Sequence, residues 1–316
     1  MDLFKYISKR LLTLIPVLLG ITFFAFLLGH ISPGDPAEEA LISIGIEVPS
    51  VEQLAEMREN MGLNDNIFKQ YGHWVKNAVK GDLGTSYFTK KSISEEFKTR
   101  IPITLKISIL ALIMTIFLGI GIGLLMAIFK DTFTDKLLRL ISVLFLSIPG
   151  FWLAIIMIII FCEKLHLLPT SGNGGIKHMI MPAFVLASST IAMTSRVTRS
   201  TLIKELGEQY IVVAKSKGLS QKLATFKHAF INSLVPIVTL IGNYFGGILG
   251  GATIVESIFS LQGMGSYVLR GISSRDYPIV QGYVLYTGII YVVITLTIDI
   301  IYIFINPKIR LNGVNN

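Results

Sequence analysis

Charge is scarce in this chain of 316 residues: Asp, Glu, Lys and Arg together make up 15% of it, against 52% hydrophobic residues. Water-soluble domains carry roughly 25% charged residues. The deficit, with a mean hydropathy of +0.66, excludes an ordinary soluble domain and points to an integral membrane protein. Cysteine is scarcer still. Cys162 stands alone in an apolar run, which rules out an internal disulfide and favours a small buried hydrophobe over a catalytic thiol. There is no GxxxxGK[ST] phosphate loop, no HExxH or Cys-rich metal spacing and no GxSxG elbow. The chain is therefore not expected to hydrolyse ATP, to carry a resident metal or to hold a cofactor of its own. The five histidines, His30, His73, His166, His178 and His228, are scattered and read as interface or loop residues. An intramembrane enzyme would need a nucleophile and base deep in the spans, and none is seen. The formal net charge is +8, yet the basic residues sit in short segments beside apolar runs. Membrane topology accounts for them, and nucleic acid is not an expected partner.

What is present is a series of long apolar runs. A basic start (Leu3 to Arg10) precedes an uncharged run from Leu11 to Ile31, too long for a secretory signal core and read as a retained first helix. Further spans are expected over Ile107 to Phe129, Leu140 to Cys162, Ile176 to Ser195, Ala229 to Val255 and about Pro278 to Ile305. Pro149 and Gly150 should kink or break the third. The fourth, rich in Ser and Thr and containing Pro182, suits a helix that faces protein instead of lipid. In the fifth, Gly242, Gly246, Gly247, Gly250 and Gly251 form overlapping small-xxx-small pairs, which serve either packing within the chain or a subunit contact or gate. Six spans with both termini in the cytoplasm place the basic excess inside throughout. Ser32 to Arg100, with eleven acidic against eight basic residues, then lies outside. In that segment Ser50 and Gln53 make a capping box for a helix that should stop at Gly62. A second helix, with Ile67, Phe68, Tyr71, Trp74, Val75, Ala78 and Val79 at helical spacing, should end before Gly81 and lay its apolar stripe on the membrane body or the lipid interface.

One polar stretch interrupts the apolar pattern. Between Arg196 and His228 seven Lys or Arg stand against Glu205 and Glu208, a density that belongs on the cytoplasmic face. Its pattern predicts a helix over Glu208 to Lys217, a bend at Gly218 and a second helix from Leu223 to Asn232, giving an elbow between two spans. Two acidic residues also stand out. Asp299, inside the last span, is a functional candidate by default, but its nearness to the basic tail favours a structural pairing there. Glu256, at the outer end of the fifth span, reads as an interfacial carboxylate, with an external gate contact as the alternative.

The elbow, with Tyr210, Ala214, Lys217-Gly218-Leu219, His228, Asn232 and Pro236, resembles the cytoplasmic coupling loop of binding-protein-dependent ABC importer permeases of the oligopeptide, dipeptide and nickel branch. Other matches run in order along the chain: Pro33-Gly34-Asp35-Pro36, Gly81-Asp82-Leu83-Gly84 with Ser86, Arg100-Ile101-Pro102 with Thr104-Leu105, Phe259-Ser260, Gly263-Met264-Gly265, Arg275-Asp276-Tyr277-Pro278, Val280-Gln281-Gly282, and Asp299 with Pro307 and Arg310. The chain departs from the general coupling signature at Val212-Val213, where Glu-Ala would stand, and at Asn306-Pro307-Lys308, where the branch shows Asp-Pro-Arg.

The resemblance implies an all-α permease of the type I importer fold in the plasma membrane: a first helix over residues 1–31, an extracytoplasmic segment over 32–100, and a five-helix core over 101–316 that includes a coupling loop at 197–230. It implies a second related permease, two cytoplasmic ATPases that bind the ATP and Mg, an extracytoplasmic substrate-binding protein, and contact with membrane lipid. The cargo it implies is a short peptide, or alternatively nickel or another chelated metal. Independently of the family, an ATP-free channel or carrier would require a charge pair or broken-helix site at the midplane. The residues assigned to coupling are Glu208, Tyr210, Ala214, Lys217, Gly218, Leu219, His228, Asn232 and Pro236; those assigned to a gate or to packing are Pro149, Gly150, Gly246, Gly250, Glu256 and Asp299.

Overall fold

Backbone amides find no partner in hydrocarbon, so an apolar run that enters it folds as a helix. The computed structural model of the protein describes residues 3–31, 35–172 and 174–305, and among them the only strand-like pairing is an isolated bridge between Thr85 and Ser92. The helices are α1 (Leu3–Ile31), α2 (Pro36–Ser43), α3 (Val51–Asn60), α4 (Ile67–Val79), α5 (Ile93–Met114), α6 (Ile120–Ile128), α7 (Phe133–Ser147), α8 (Gly150–Met157), α9 (Ile176–Leu206), α10 (Gln209–Ser216), α11 (Gln221–Ala224), α12 (Phe230–Ile258), α13 (Met264–Ser273) and α14 (Tyr277–Ile305). Single π-turns join α5 to α6, extend α8, and join α11 to α12. Pro33, Gly34 and the tail with Asn306-Pro307-Lys308 and Arg310 lie outside the described residues.

Among the described residues five helical stretches are long and apolar enough to cross a membrane: Leu12–Gly29, Ile93–Ile128, Ile176–Leu206, Thr225–Ile248 and Tyr277–Ile301. The expected third span, Leu140 to Cys162, falls on the pair α7 and α8, which are bent by 105° at their junction and pass the length and apolarity test only when taken together. The bend sits where Pro149 pushes the residue before it out of the helical region, Ile148 having a ψ of 123°. The helix that carries the second expected span begins well before Ile107, at Ile93, and Ile93 and Phe97 on its first turns are buried.

The chain forms two compact units that cut across the expected division at residues 31 and 100: one from Ser8–Thr104 and Gln262–Val292, the other chiefly Leu105–Leu261 with the chain from Val293 onward. In the second of these, α9 is the packing centre. Its small and hydroxyl-bearing face, Ser188, Thr194, Ser195 and Thr198 among others, is buried, as the weak hydropathy of this run predicts. Close approach is the reason: a Cβ on Gly123 would lie 2.5 Å from Thr198 Cβ and 2.6 Å from the Ser195 carbonyl oxygen. Asp135 on α7 is fully buried and ion-paired to Arg199 on α9. Cys162 is buried, its thiol 3.9 Å from Met181 Sδ. Glu256 departs from expectation: it is fully buried instead of interfacial. The helix ends there, Ser260 taking a φ of +52° while the Leu261 amide donates to the Glu256 carbonyl at 2.8 Å.

In the other unit Ser50 and Gln53 form the expected capping box and α3 stops before Gly62, whose φ is +68°. The aromatic stripe of α4 packs on α1: Phe23 lies 5.6 Å from Phe68 and 5.2 Å from Tyr71, and the Tyr71 hydroxyl donates to the Leu19 carbonyl at 2.8 Å. Motifs far apart in sequence meet here. The Ser86 hydroxyl donates to Asp276 at 2.5 Å, the Tyr87 amide adds a bond to the same carboxylate at 3.2 Å, and Thr104 accepts the Met264 amide at 2.8 Å.

Candidate functional site

The polar insert folds as the sequence pattern predicts up to Gly218 and differently after it. Glu208, in extended backbone, caps the N-terminus of α10 and its carbonyl receives the Ile211 amide at 3.0 Å. At the other end the Gly218 amide donates to the Lys215 carbonyl at 2.9 Å and the Leu219 amide reaches back to the Ala214 carbonyl at 3.2 Å. This pair of bonds is a Schellman motif, which needs a left-handed residue just past the helix, and Gly218 supplies it with a φ of +90°. The following helix is not a short separate one. It starts at Gln221 and passes through the π-turn Thr225–Ala229, which contains His228, directly into α12. Pro236 lies inside α12 and lacks the amide that would have bonded the Asn232 carbonyl.

The elbow is anchored from below. Ile211 is buried in a cluster with Ala127, Leu202, Ala224 and Ala229, so one residue of α10 ties it to α9, α11 and the end of α6. Tyr210 adds a polar tie: its hydroxyl donates to Glu205 at 2.6 Å and hydrogen-bonds the Asn232 side chain. Burial and the Glu205 carboxylate raise the Tyr210 phenol above its ordinary value. The opposite side of α10 is free. Val212 and Val213 are 60% and 52% exposed, and Leu223 and Phe226 on the next turns are 49% each. Lys217 and Gly218 are exposed, Ala214 and Leu219 half-buried. The arrangement is a rigid apolar knob standing on basic surroundings.

The gate and packing candidates scatter. Pro149 and Gly150 form the break between α7 and α8. Gly242 packs against Ile298 of α14, whereas a Cβ on Gly247 or Gly250 would meet nothing within 4 Å among the described residues, and Gly246 is half-buried. Asp299 is half-buried on α14, and the basic tail expected to pair with it is outside the described residues. A second cluster joins Arg100, met in the sequence only within Arg100-Ile101-Pro102, to Glu96 and Tyr267, which the sequence pattern did not single out. Glu96 accepts two bonds from Arg100 at 2.8 and 2.6 Å, and the Arg100 guanidinium carbon sits 4.4 Å from the centre of the Tyr267 ring. The spacing of Glu96 and Arg100, one helical turn, was the available signal.

Comparison with known proteins agrees with this architecture. Residues 119–311 match the family model of the binding-protein-dependent transport system inner membrane component, and residues 3–108 match its N-terminal companion. The chain is 35% identical to the dipeptide transport system permease protein DppB of Alkalihalophilus pseudofirmus, over 96% of this chain and 99% of that one. It is 34% identical to the glutathione transport system permease protein GsiC of Escherichia coli, covering 97% and 99%. Among solved structures, an inward-facing MetNI methionine ABC transporter chain superposes with a TM-score of 0.57 at 14% identity, over 66% of this chain and 96% of that one, a likeness of fold. The chain therefore belongs to the binding-protein-dependent transport system inner membrane components, multi-pass permease proteins of the plasma membrane that work with other subunits.

Proposed function

We propose that the chain is one of two permease subunits of an ATP-driven importer of short peptides, supplying half of the translocation pathway and one coupling elbow. A second, related permease would complete the pathway, two cytoplasmic ATPases would bind ATP with Mg and do all the hydrolysis, and an extracytoplasmic binding protein would deliver cargo. Both termini and α10 would face the cytoplasm, and α2, α3, α4 and α13 the outside. The observation that carries the reading is α10 itself: a helix fixed beneath by Ile211 and Tyr210, stopped by Gly218, with Val212 and Val213 turned outward. Such a knob transmits force as a lever. A partner that grips it and moves on binding nucleotide biases the spans between inward-open and outward-open arrangements. The peptide cargo is supported by the dipeptide and glutathione systems to which the relatives belong, and these do not favour nickel.

The test is to tag the chain, solubilise native membranes gently and identify what co-purifies. Recovery of a second multi-span permease with ATPases, and ATP-dependent peptide uptake after reconstitution, supports the reading. Flux by the chain alone, without any ATPase, overturns it in favour of a channel or carrier.

A further inference from the structure

The unit formed by Ser8–Thr104 and Gln262–Val292 contains a cleft of about 620 Å³ lined by Lys91, Glu96, Arg100, Tyr267, Arg270 and Asp276 among others. Two of the lining residues carry donors that are buried without a partner among the described residues. Arg100 spends Nε and Nη2 on Glu96, leaving buried Nη1 with no hydrogen-bond partner. The hydroxyl of Tyr267, a residue only 4% exposed, is likewise buried without one. The ring and the guanidinium stack 4.4 Å apart, so the two idle donors belong to adjoining groups. Buried donors are almost always satisfied, and two adjoining ones that are not mark a place where a water, an ion or a ligand group would be bound. The charges agree: three cations, Lys91, Arg100 and Arg270, face two carboxylates, Glu96 and Asp276, and Arg270 has no carboxylate partner among the described residues.

We infer that this cleft is a binding site for one carboxylate, the free C-terminus of a peptide on its way to the pathway. A carboxylate offers two acceptor oxygens, one for Arg100 Nη1 and one for the Tyr267 hydroxyl, in charge-assisted bonds about twice as strong as neutral ones. One negative charge also cancels the excess of one positive, where a phosphate dianion would overshoot it. The volume lies within the range of small-molecule sites, roughly 300 to 1,000 Å³. The assignment of the carboxylate to cargo rests on the peptide-import reading above.

The experiment uses the whole transporter in phosphatidylcholine nanodiscs, without binding protein, titrated calorimetrically with dialanine and with dialanine amide. The free acid should bind saturably and the amide at least about 5-fold more weakly, the loss of one charge-assisted contact. Tyr267→Phe keeps the ring on Arg100 and removes the hydroxyl; Arg270→Gln changes an exposed side chain. Each should weaken the acid by about 3- to 10-fold and narrow its advantage over the amide. Inorganic phosphate at equal concentration should not displace the acid. Equal binding of acid and amide, an advantage untouched by both variants, or displacement by phosphate would overturn the inference. Acid-selective binding in a transporter that imports no peptide would sink the import reading and leave the site standing. Import without acid selectivity would do the reverse.

Discussion

Arg199 grips Asp135 with both prongs of its guanidinium, Nε to Oδ1 at 2.8 Å and Nη2 to Oδ2 at 2.7 Å, across 64 residues of chain. Asp135 is fully buried and takes a further bond from the Asp131 amide at 3.0 Å. Removing one member of a buried pair strands the other charge, at a cost of about 3–5 kcal/mol. Asp135→Ala should therefore lower the thermal unfolding temperature of the purified protein sharply. The double variant with Arg199→Ala should cost less than the two singles added, since the residues are in direct contact. Additive losses would mean that the pair does not act as a unit.

Gly123 and Gly121 stand two residues apart on α6 and should respond oppositely. An added Cβ at Gly123 runs into Thr198 and the Ser195 carbonyl, while at Gly121 it meets nothing within 4 Å. Gly123→Ala should destabilise by about 1–3 kcal/mol through overpacking, and Gly121→Ala should be neutral or slightly stabilising in the same unfolding assay.

At Gly218 the constraint is conformational instead of steric: an added Cβ would meet nothing within 4 Å, but the φ of +90° is one that β-branched residues do not tolerate. Gly218→Val should leave membrane insertion intact and sharply reduce ATP-dependent uptake, with Gly218→Asn intermediate. Unimpaired uptake in the Val variant would contradict a lever role for α10.

Val212 and Val213 test the outer side of the same helix. Changing both to Ser removes exposed apolar surface and touches none of the anchoring contacts made by Ile211 and Tyr210. Co-purification of the ATPases should fall while the thermal stability of the permease stays the same. Equal recovery of ATPase would place the contact elsewhere.

Much of this was legible in the chain because it depends on local rules. The capping box at Ser50, the stop at Gly62, the break at Pro149 and the Schellman turn at Gly218 are each set by a few neighbouring residues. The weak apolarity of α9 likewise announced a helix surrounded by protein. What stayed hidden depends on distant partners: the burial of Glu256, the ion pair of Asp135 with Arg199, and the stack of Arg100 on Tyr267 join elements that no local spacing relates. The π-turn at Thr225–Ala229 was also unseen, and with it the continuity of the elbow's second arm with α12.

Asp276→Asn would weaken the acceptor that Ser86 and the Tyr87 amide share. Hydrogen exchange should rise locally at residues 84–92 while protection in α9 is kept, the loss being about 1–3 kcal/mol for a buried polar group deprived of its match. Uniformly faster exchange would assign Asp276 a global role.

The clasp between Ser86 and Asp276 also sets a schedule for synthesis. Its halves are 190 residues apart, and at roughly 5–20 residues per second the ribosome needs about 10–40 s to deliver the second after the first. Through that interval the segment that contains Ser86 has been made but has no carboxylate to close on. A newly made chain thus passes through a stage in which this segment lacks that bond, and only synthesis as far as Asp276, just before the last helix, supplies it.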